Sequence, residues 1–459
     1  MILSAFVWLL AAALLLLLAG AAYSVLLAGA CPEVVRSNEI CHVTTPDLWK
    51  LRVCRFRKPG SRGEPVLFVH GLNANQNNFL NPAGANGNLV DFLAARGYDC
   101  WTVDLRTTHT AQPAPGRSVH DATVDDYAAY DIPAVLEHIC RVTGWDRVHY
   151  VGHSLGGFLL YAYDLHTGGR RLASAVTLGS PVDFAKANDL VPPPLKRLVE
   201  VAPWTSGELL RLALPFARRF SRFVQFLPVN PANLPKDMDL RDFYTMLDDP
   251  SRGVHRQVFS WAEAGEVVMH KGKLRLSERL PKLNTPLLAA FAPLDPFING
   301  EEGRALFDRI EMEDKKLLLC GRDAGCLIDY SHCDLAFGVN AAAEVFGPVA
   351  EWIAAHPITP RPAFADLPEE EPAPEPEAAP EPAPEDELPE AAPAPEAAPA
   401  SDAAPAAKPE ASAAPEEEDA GEPVKKAPAK RKAAPRRKAA PAQNPTDGEA
   451  EKTEEGEQE

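Results

Sequence analysis

Strand-like and helix-like segments alternate along most of this 459-residue chain, and that alternation predicts an α/β fold with a mostly parallel sheet flanked by helices. A second observation locates its working edge. Gly152-His153-Ser154-Leu155-Gly156 stands between a strand-like run and an apolar helix-like run. A third is the pair Asp295 and His332, each just past a later strand-like segment.

The elements follow in order from Leu51. Pro65–Val69 is a short apolar run that ends in a His-Gly turn, Leu89–Arg96 has helical spacing, and Asp99–Asp104 is the next strand. Asp126–Val142 is helical, with Pro133 near its start, where a missing N–H is tolerated. Arg147–Gly152 is a strand, Leu155–Leu165 a helix, and Ala173–Leu178 and Pro286–Ala292 are strands. Lys315–Cys320 is the last strand, and Asp334–His356 a closing helical stretch. Residues 33–183 and 285–358 thus form the two parts of one core. Between them, Phe184–Asn284 has helical apolar spacing and no clear buried strand, marked by Leu195, Leu198, Val199, Leu209, Leu210, Leu212, Phe216, Phe220, Phe223 and Phe226. This interval is expected to be a helical cap over the C-terminal edge of the sheet.

The two ends differ from the core. Met1–Pro32 has no charged side chain, and Ile2–Ala30 is almost wholly apolar. About 20 apolar residues cross a bilayer, whereas a secretory signal has a basic start and an apolar stretch of about 7–15 residues. Residues 1–32 therefore predict a retained single-pass transmembrane anchor, in contact with the membrane through residues 1–30. A cleaved or lipidated signal is the alternative, since Leu27-Ala28-Gly29-Ala30-Cys31 is similar to a lipoprotein cleavage site. Arg36, Lys50, Arg52, Arg55, Arg57 and Lys58 all follow the run, which by the positive-inside tendency puts the remainder on the cytoplasmic side, with a periplasmic or secreted domain as the alternative.

At the other end, residues 359–459 lose apolar periodicity and become Pro/Ala/Glu-rich, a composition that predicts disorder. From Arg361 to Glu459 there are 26 acidic and 11 basic side chains, so most of the net charge of -18 lies in the tail and the core is close to neutral. That argues against a nucleic-acid-binding domain, and no specific nucleic acid is expected as partner. A basic island, Lys425–Lys438, could hold an anionic surface. The eight cysteines show no metal spacing and read as buried thiols, with Cys320–Cys326 or Cys41–Cys54 as possible bridges in an oxidising compartment.

The chemistry centres on Ser154. A serine on a tight strand-to-helix turn is held in strained geometry with its hydroxyl over the sheet edge, and Gly152 and Gly156 allow strand and helix to approach closely. The helix N-terminus favours developing negative charge. In this architecture one oxyanion donor is the amide after the serine, Leu155, and the other comes from the loop after the early strand, Leu72 beside His70 and Gly71. The order Ser, Asp, His fits Ser154, Asp295 and His332, with Asp323, Asp329 and Asp334 as competing acids. Asp334 precedes an apolar helical stretch and has the character of an N-cap. His153 is expected to point away from the site and pack. Cys333 is a weak rival nucleophile, because Ser154 already fills that place.

With these residues in view, His70-Gly71, Val103-Asp104-Leu105-Arg106, Tyr130-Asp131-Ile132-Pro133-Ala134, Gly152–Gly157 and Tyr330-Ser331-His332-Cys333-Asp334 make residues 51–357 resemble the acid-lipase and polyhydroxyalkanoate-synthase-like branch of the α/β-hydrolases. The resemblance implies the α/β-hydrolase fold, Ser154 as nucleophile, Asp295 as acid, His332 as base, and ester substrates that are often lipidic. Polymer synthases of that branch use cysteine at the elbow, so the serine here favours hydrolysis. The expected function is membrane-anchored hydrolysis of apolar carboxylic esters with neither metal nor organic cofactor. The rival from another class is a non-catalytic, membrane-tethered adaptor whose tail recruits partners.

Overall fold

The computed structural model describes residues 2–83, 87–186, 196–197, 201–202, 207, 211–212, 214, 228–249 and 251–359. All belong to one compact unit, Met1–Glu377; the second unit, Ala378–Glu459, and with it the basic island, lies outside the described residues.

An eight-stranded sheet forms the centre. Its strands are β1 (Glu39–Thr44), β2 (Lys50–Phe56), β3 (Pro65–Val69), β4 (Asp99–Val103), β5 (Val148–His153), β6 (Leu172–Leu178), β9 (Leu287–Phe291) and β10 (Lys315–Leu319), and the spatial order is β1-β2-β4-β3-β5-β6-β9-β10. From β4 to β10 every neighbour is parallel, while β1 and β2 add an antiparallel hairpin to one edge. The sheet therefore begins at Glu39, earlier than the alternating pattern suggests. β1 is half-exposed and carries Glu39 and His42, so it lacks the apolar run of a central strand.

Helices cover both faces, which is why the central strands are apolar throughout rather than alternating. Leu67 and Val69 pack with Trp101, Ile132 and Phe158 on one side; Phe68 packs with Phe79, Val151 and Phe346 on the other. The covering helices include α2 (Asn77–Leu80), α3 (Leu89–Ala94), α4 (Ile132–Thr143) and α5 (Leu155–Thr167). The helical run predicted from Asp126 starts two residues earlier, with an α-helical turn at Val124–Asp126 that passes through a π turn at Tyr127–Asp131. The closing stretch is broken into a 3-10 turn at Cys333–Leu335, a π turn at Ala342–Phe346 and a helix at Gly347–Ala354.

The insertion differs from expectation in two ways. It does contain strands, the short antiparallel pair β7 (Val268–Met269) and β8 (Leu274–Arg275). Two-residue strands are too short to give a periodic signal. Moreover, the helix at Arg252–Ala264 packs into the main core through Val258 and Trp261, with Trp261 against Phe158 of α5. This half of the insertion is a structural wall as much as a cover. A further helix, α6 (Leu240–Met246), precedes it, and Leu247 then bridges to Ala74 in the loop after β3. Of the ten apolar residues that marked the cap, only Leu212 lies within the described residues.

Ile2–Ala30 forms a single helix, α1. The side chains of residues 2–7, 9–13 and 17 are outside the described set, and among the described residues no helix is long and apolar enough to cross a membrane. The eight cysteines are free thiols, and neither bridge considered from the sequence is formed.

Candidate active site

The turn that closes β5 carries Ser154, whose φ of 54° lies in a region that serine seldom occupies. Helix α5 begins at the next residue. The turn is sharp because backbones touch. A Cβ on Gly156 would lie 2.0 Å from Val69 O, and one on Gly152 would meet the Gly156 carbonyl carbon at 2.5 Å. Any side chain at these positions would push α5 off the sheet. Ser154 N donates to Leu178 O at 2.9 Å, tying the turn to β6.

Asp295 and His332 meet at the same edge, brought together by β9 and β10. His332 Nδ1 lies 2.7 Å from Asp295 Oδ2, and both side chains are buried. The other carboxylate oxygen, Oδ1, accepts from the amides of Phe297 (2.8 Å) and Ile298 (3.1 Å). The carboxylate is thus fixed, and it selects the tautomer in which His332 Nδ1 carries the proton and Nε2 is free to accept one. Gly179, at the end of β6, lies against the pair: a Cβ there would sit 2.9 Å from Asp295 Oδ2 and 3.0 Å from His332 Nδ1. The two loops are stitched together by Ser331 Oγ to Leu294 O (3.0 Å) and Leu294 N to Tyr330 O (3.1 Å). Ser154 Oγ has no hydrogen-bond partner among the described residues.

On the far side of Ser154 is the loop after β3. A Cβ on Gly71 would come within 3.0 Å of Ser154 Cβ. Leu72 and Leu155 line one small cavity with Tyr127 and Val254. Among the described residues neither Leu72 N–H nor Leu155 N–H has an acceptor. Two unpartnered amides flanking a serine form a ready receptor for an oxyanion. His70 sets the loop from below. Its Nε2 accepts from Leu105 N (3.1 Å), so its Nδ1–H donates to Gly71 O (2.8 Å), and burial holds the ring below its ordinary pKa.

His153 does not merely pack. Its Nδ1 accepts from Asn78 Nδ2 (3.3 Å) and its Nε2–H donates to His332 O (3.1 Å), with the two imidazole rings 4.7 Å apart. It therefore joins the elbow, α2 and the His332 loop. Asp334 is also reassigned. It is not the cap of a following helix: its carboxylate accepts from Ser331 N, from Asn230 N and from Asn233 Nδ2 (2.7 Å), binding the His332 loop to residues 230–233. Of the other competing acids, Asp329 accepts from Arg322 N and Asp323 is exposed. Cys333 is directed into an apolar cluster with Met238 and Phe337, and burial pushes its thiol pKa well up.

Sequence reasoning missed the supports of the loop after β3. Asp104 accepts from Gln76 N (2.9 Å), Gln76 Nε2 (3.2 Å), Arg52 Nε (2.7 Å) and Thr110 Oγ1 (2.8 Å). Asp248, from the insertion, accepts from Asn75 Nδ2 and His109 Nδ1, and its own N–H donates to Asn73 O. A signal was present: the segment from Asn73 to Asn81 has six amide side chains in nine residues, and five of them are buried. Buried amides need partners, so such a run marks a fixed loop.

Burial pushes His153 down to about 3 and His255 down to about 4. A histidine depressed in the folded state is protonated first in the unfolded state, whose value is about 6.5. Stability from these groups is therefore complete above about pH 6.5 and is lost as pH falls towards 4. The thermal midpoint is expected to drop between pH 7 and pH 4, and to drop less in His153→Gln; an equal drop in that variant would show that His153 is not held neutral.

A family model described as alpha/beta hydrolase fold matches residues 64–326, and the chain belongs to that family. Among relatives, lipase 1 of Drosophila melanogaster is 35% identical over 124 residues, 26% of this chain and 28% of that protein. Human gastric triacylglycerol lipase is 34% identical over 139 residues, 27% and 35% of the two chains. Human lysosomal acid lipase/cholesteryl ester hydrolase is 34% identical over 108 residues, 22% and 27% of the two. The chain thus spans between about a quarter and about a third of the length of these relatives.

Proposed function

We propose that this chain is a membrane-anchored serine hydrolase that cleaves carboxylic esters of lipidic character through an acyl-enzyme on Ser154. The observation that carries the reading is the buried 2.7 Å contact of His332 Nδ1 with Asp295 at the same sheet edge as the strained Ser154 turn. In this scheme Ser154 Oγ attacks the carbonyl carbon while His332 Nε2 takes its proton. Asp295 holds the ring and stabilises the imidazolium. The tetrahedral oxyanion accepts from Leu72 and Leu155 N–H. His332 then protonates the departing alcohol, and water, activated by the same imidazole, releases the acid. The similarity to lipases supports an ester substrate, and the apolar insertion supports an apolar one.

Anchoring is supported by α1, which has no charged residue and leaves Leu14, Leu15, Leu16, Leu18, Val25 and Leu26 more than half exposed. The Lys425–Lys438 island is proposed to meet an anionic surface through its charge. Labelling with a fluorophosphonate probe tests the catalytic reading against the adaptor alternative. The unaltered protein should be labelled and should hydrolyse a short activated ester; Ser154→Ala should do neither. An unlabelled wild-type chain with no esterase activity would leave the adaptor as the better account.

A further inference from the structure

The end of α1 is held against the very edge of the sheet that carries Ser154, Asp295 and His332. Leu27 and Cys31 are buried, and Cys31 N donates to Leu27 O, so the helix runs into the domain without a free linker. Pro32 O accepts from Arg241 Nε of α6 at 2.8 Å. The Glu33 carboxylate accepts from Arg52 Nη2 (2.6 Å) and Nη1 (3.1 Å) and from Asn77 Nδ2 (3.0 Å), and lies 3.6 Å from His109 Nε2. These cations hold its pKa well below the usual carboxylate range. Arg36 Nη2 donates to Leu80 O at 3.1 Å.

These partners share one location. Arg52 pairs with Asp104, one residue beyond the C-terminal end of β4, and His109 follows in the same loop. Asn77 and Leu80 belong to α2, directly after the oxyanion loop, and Arg241 belongs to the insertion. His109 in turn bonds Asp248, which holds Asn75. Three residue steps separate Ala30 from Glu33. At about 3.5 Å per step the chain can place the active-site edge no more than about 10 Å from the end of α1. Helix α1 has 29 residues and is about 44 Å long. Beside Asp295, Leu294 is 51% and Phe297 37% exposed, apolar surface on the same edge.

We infer that a lipid bilayer is the partner of the active-site edge and that the ester substrate passes to Ser154 directly from the membrane. The inference rests on the anchored-hydrolase reading but goes further: the strap Pro32–Arg36 sets orientation as well as attachment. A domain on a loose tether would meet bilayer and water equally. This one presents α6 and Leu294 to the membrane.

The test uses the full chain in phosphatidylcholine vesicles that contain 4-methylumbelliferyl oleate, with 4-methylumbelliferyl acetate as the water-soluble control. In a second chain a proline-rich spacer of about 20 residues is inserted between Cys31 and Pro32, which keeps the strap in place and lifts the domain by about 60 Å. Both chains should sediment with vesicles and hydrolyse the acetate within about twofold of each other, while hydrolysis of the embedded oleate should fall at least about tenfold with the spacer. An undiminished oleate rate in the spacer chain overturns the inference. So does failure of the unaltered chain to sediment with vesicles, which would assign α1 to a second copy or an apolar protein. Absence of acetate hydrolysis in the unaltered chain counts against the hydrolase reading instead. Orientation is then read by hydrogen exchange: vesicles should slow exchange at residues 240–246 in the unaltered chain and not in the spacer chain, and equal exchange in both overturns the inference.

Discussion

Asp295→Asn is expected to fold as the parent does and to lose most of its turnover, by as much as about 10⁴ if the loss matches that of the serine-protease triad. Volume is unchanged, and the amide oxygen of the replacement side chain can still accept from the backbone N–H groups of Phe297 and Ile298. What changes is the group facing His332 Nδ1, 2.7 Å away. An amide NH₂ there favours the tautomer with the proton on Nε2, which leaves no acceptor for the Ser154 proton, and the imidazolium loses its counter-charge. Asp334→Asn supplies the contrast. Asp334 is buried and binds Ser331, Asn230 and Asn233, none of which faces the reacting atoms. Its replacement turns one acceptor into a donor opposite donors, which should cost about 1–3 kcal/mol of stability and little turnover in the folded fraction. Turnover on a short activated ester and urea midpoints separate the two. Near-normal turnover in Asp295→Asn, on an ester that Ser154→Ala cannot hydrolyse, would move the acid elsewhere.

Asp104→Ala is expected to cause the larger loss of stability, about 3–5 kcal/mol. Four donors converge on this fully buried carboxylate: Gln76 N, Gln76 Nε2, Thr110 Oγ1 and Arg52 Nε. Arg52 keeps Glu33 and so retains a counter-charge. The greater part of the loss therefore comes from the buried Gln76, whose backbone N–H and Nε2 are both left without this acceptor where water does not reach, whereas the half-buried Thr110 keeps Thr108 Oγ1. Because Gln76 ends the oxyanion loop, the surviving folded molecules should also show a reduced kcat with KM little changed. Asp104→Asn keeps an acceptor and should be milder on both counts. A drop below about 1 kcal/mol in Asp104→Ala would mean that the loop is held from the insertion side, through Asp248 and Asn75, rather than from β4.

Much of this was legible in the linear chain. Pro65–Val69 matches β3 residue for residue, and β5, β6 and β9 fall within about two residues of their expected ends, because strands buried on both faces are largely apolar runs; the part-exposed edge strand β10 was legible from its Leu317-Leu318-Leu319 run alone. The half-exposed β1 carries no such run and went unseen. The Ser154 turn was legible for a different reason. Gly152 and Gly156 sit where backbones touch, and no other residue fits there. Such a constraint is local and stays written in the sequence.

The roles of the remaining carboxylates and histidines are not local. Asp295, Asp329 and Asp334 are all acids near strand ends, and what separates them is which atom each meets: His332 Nδ1, Arg322 N, or the amides of residues 230–233. Likewise His153 adjoins Ser154 in the chain, yet its ring bonds Asn78 and the carbonyl of His332, 75 and 179 residues away. The amino-acid sequence by itself determined the parallel strands of the sheet, the elbow and the uncharged first helix, since each depends on a pattern of neighbouring residues, while the antiparallel β1–β2 hairpin was not read from it. Only the tertiary structure decided which acid holds His332, what fixes the loop after β3, and that α1 ends at the sheet edge that carries Ser154. Hydrogen bonds and ion pairs between distant segments are made or lost by differences of a few tenths of an ångström in separations near 3 Å, and those separations exist only once the sheet has brought the strand ends together.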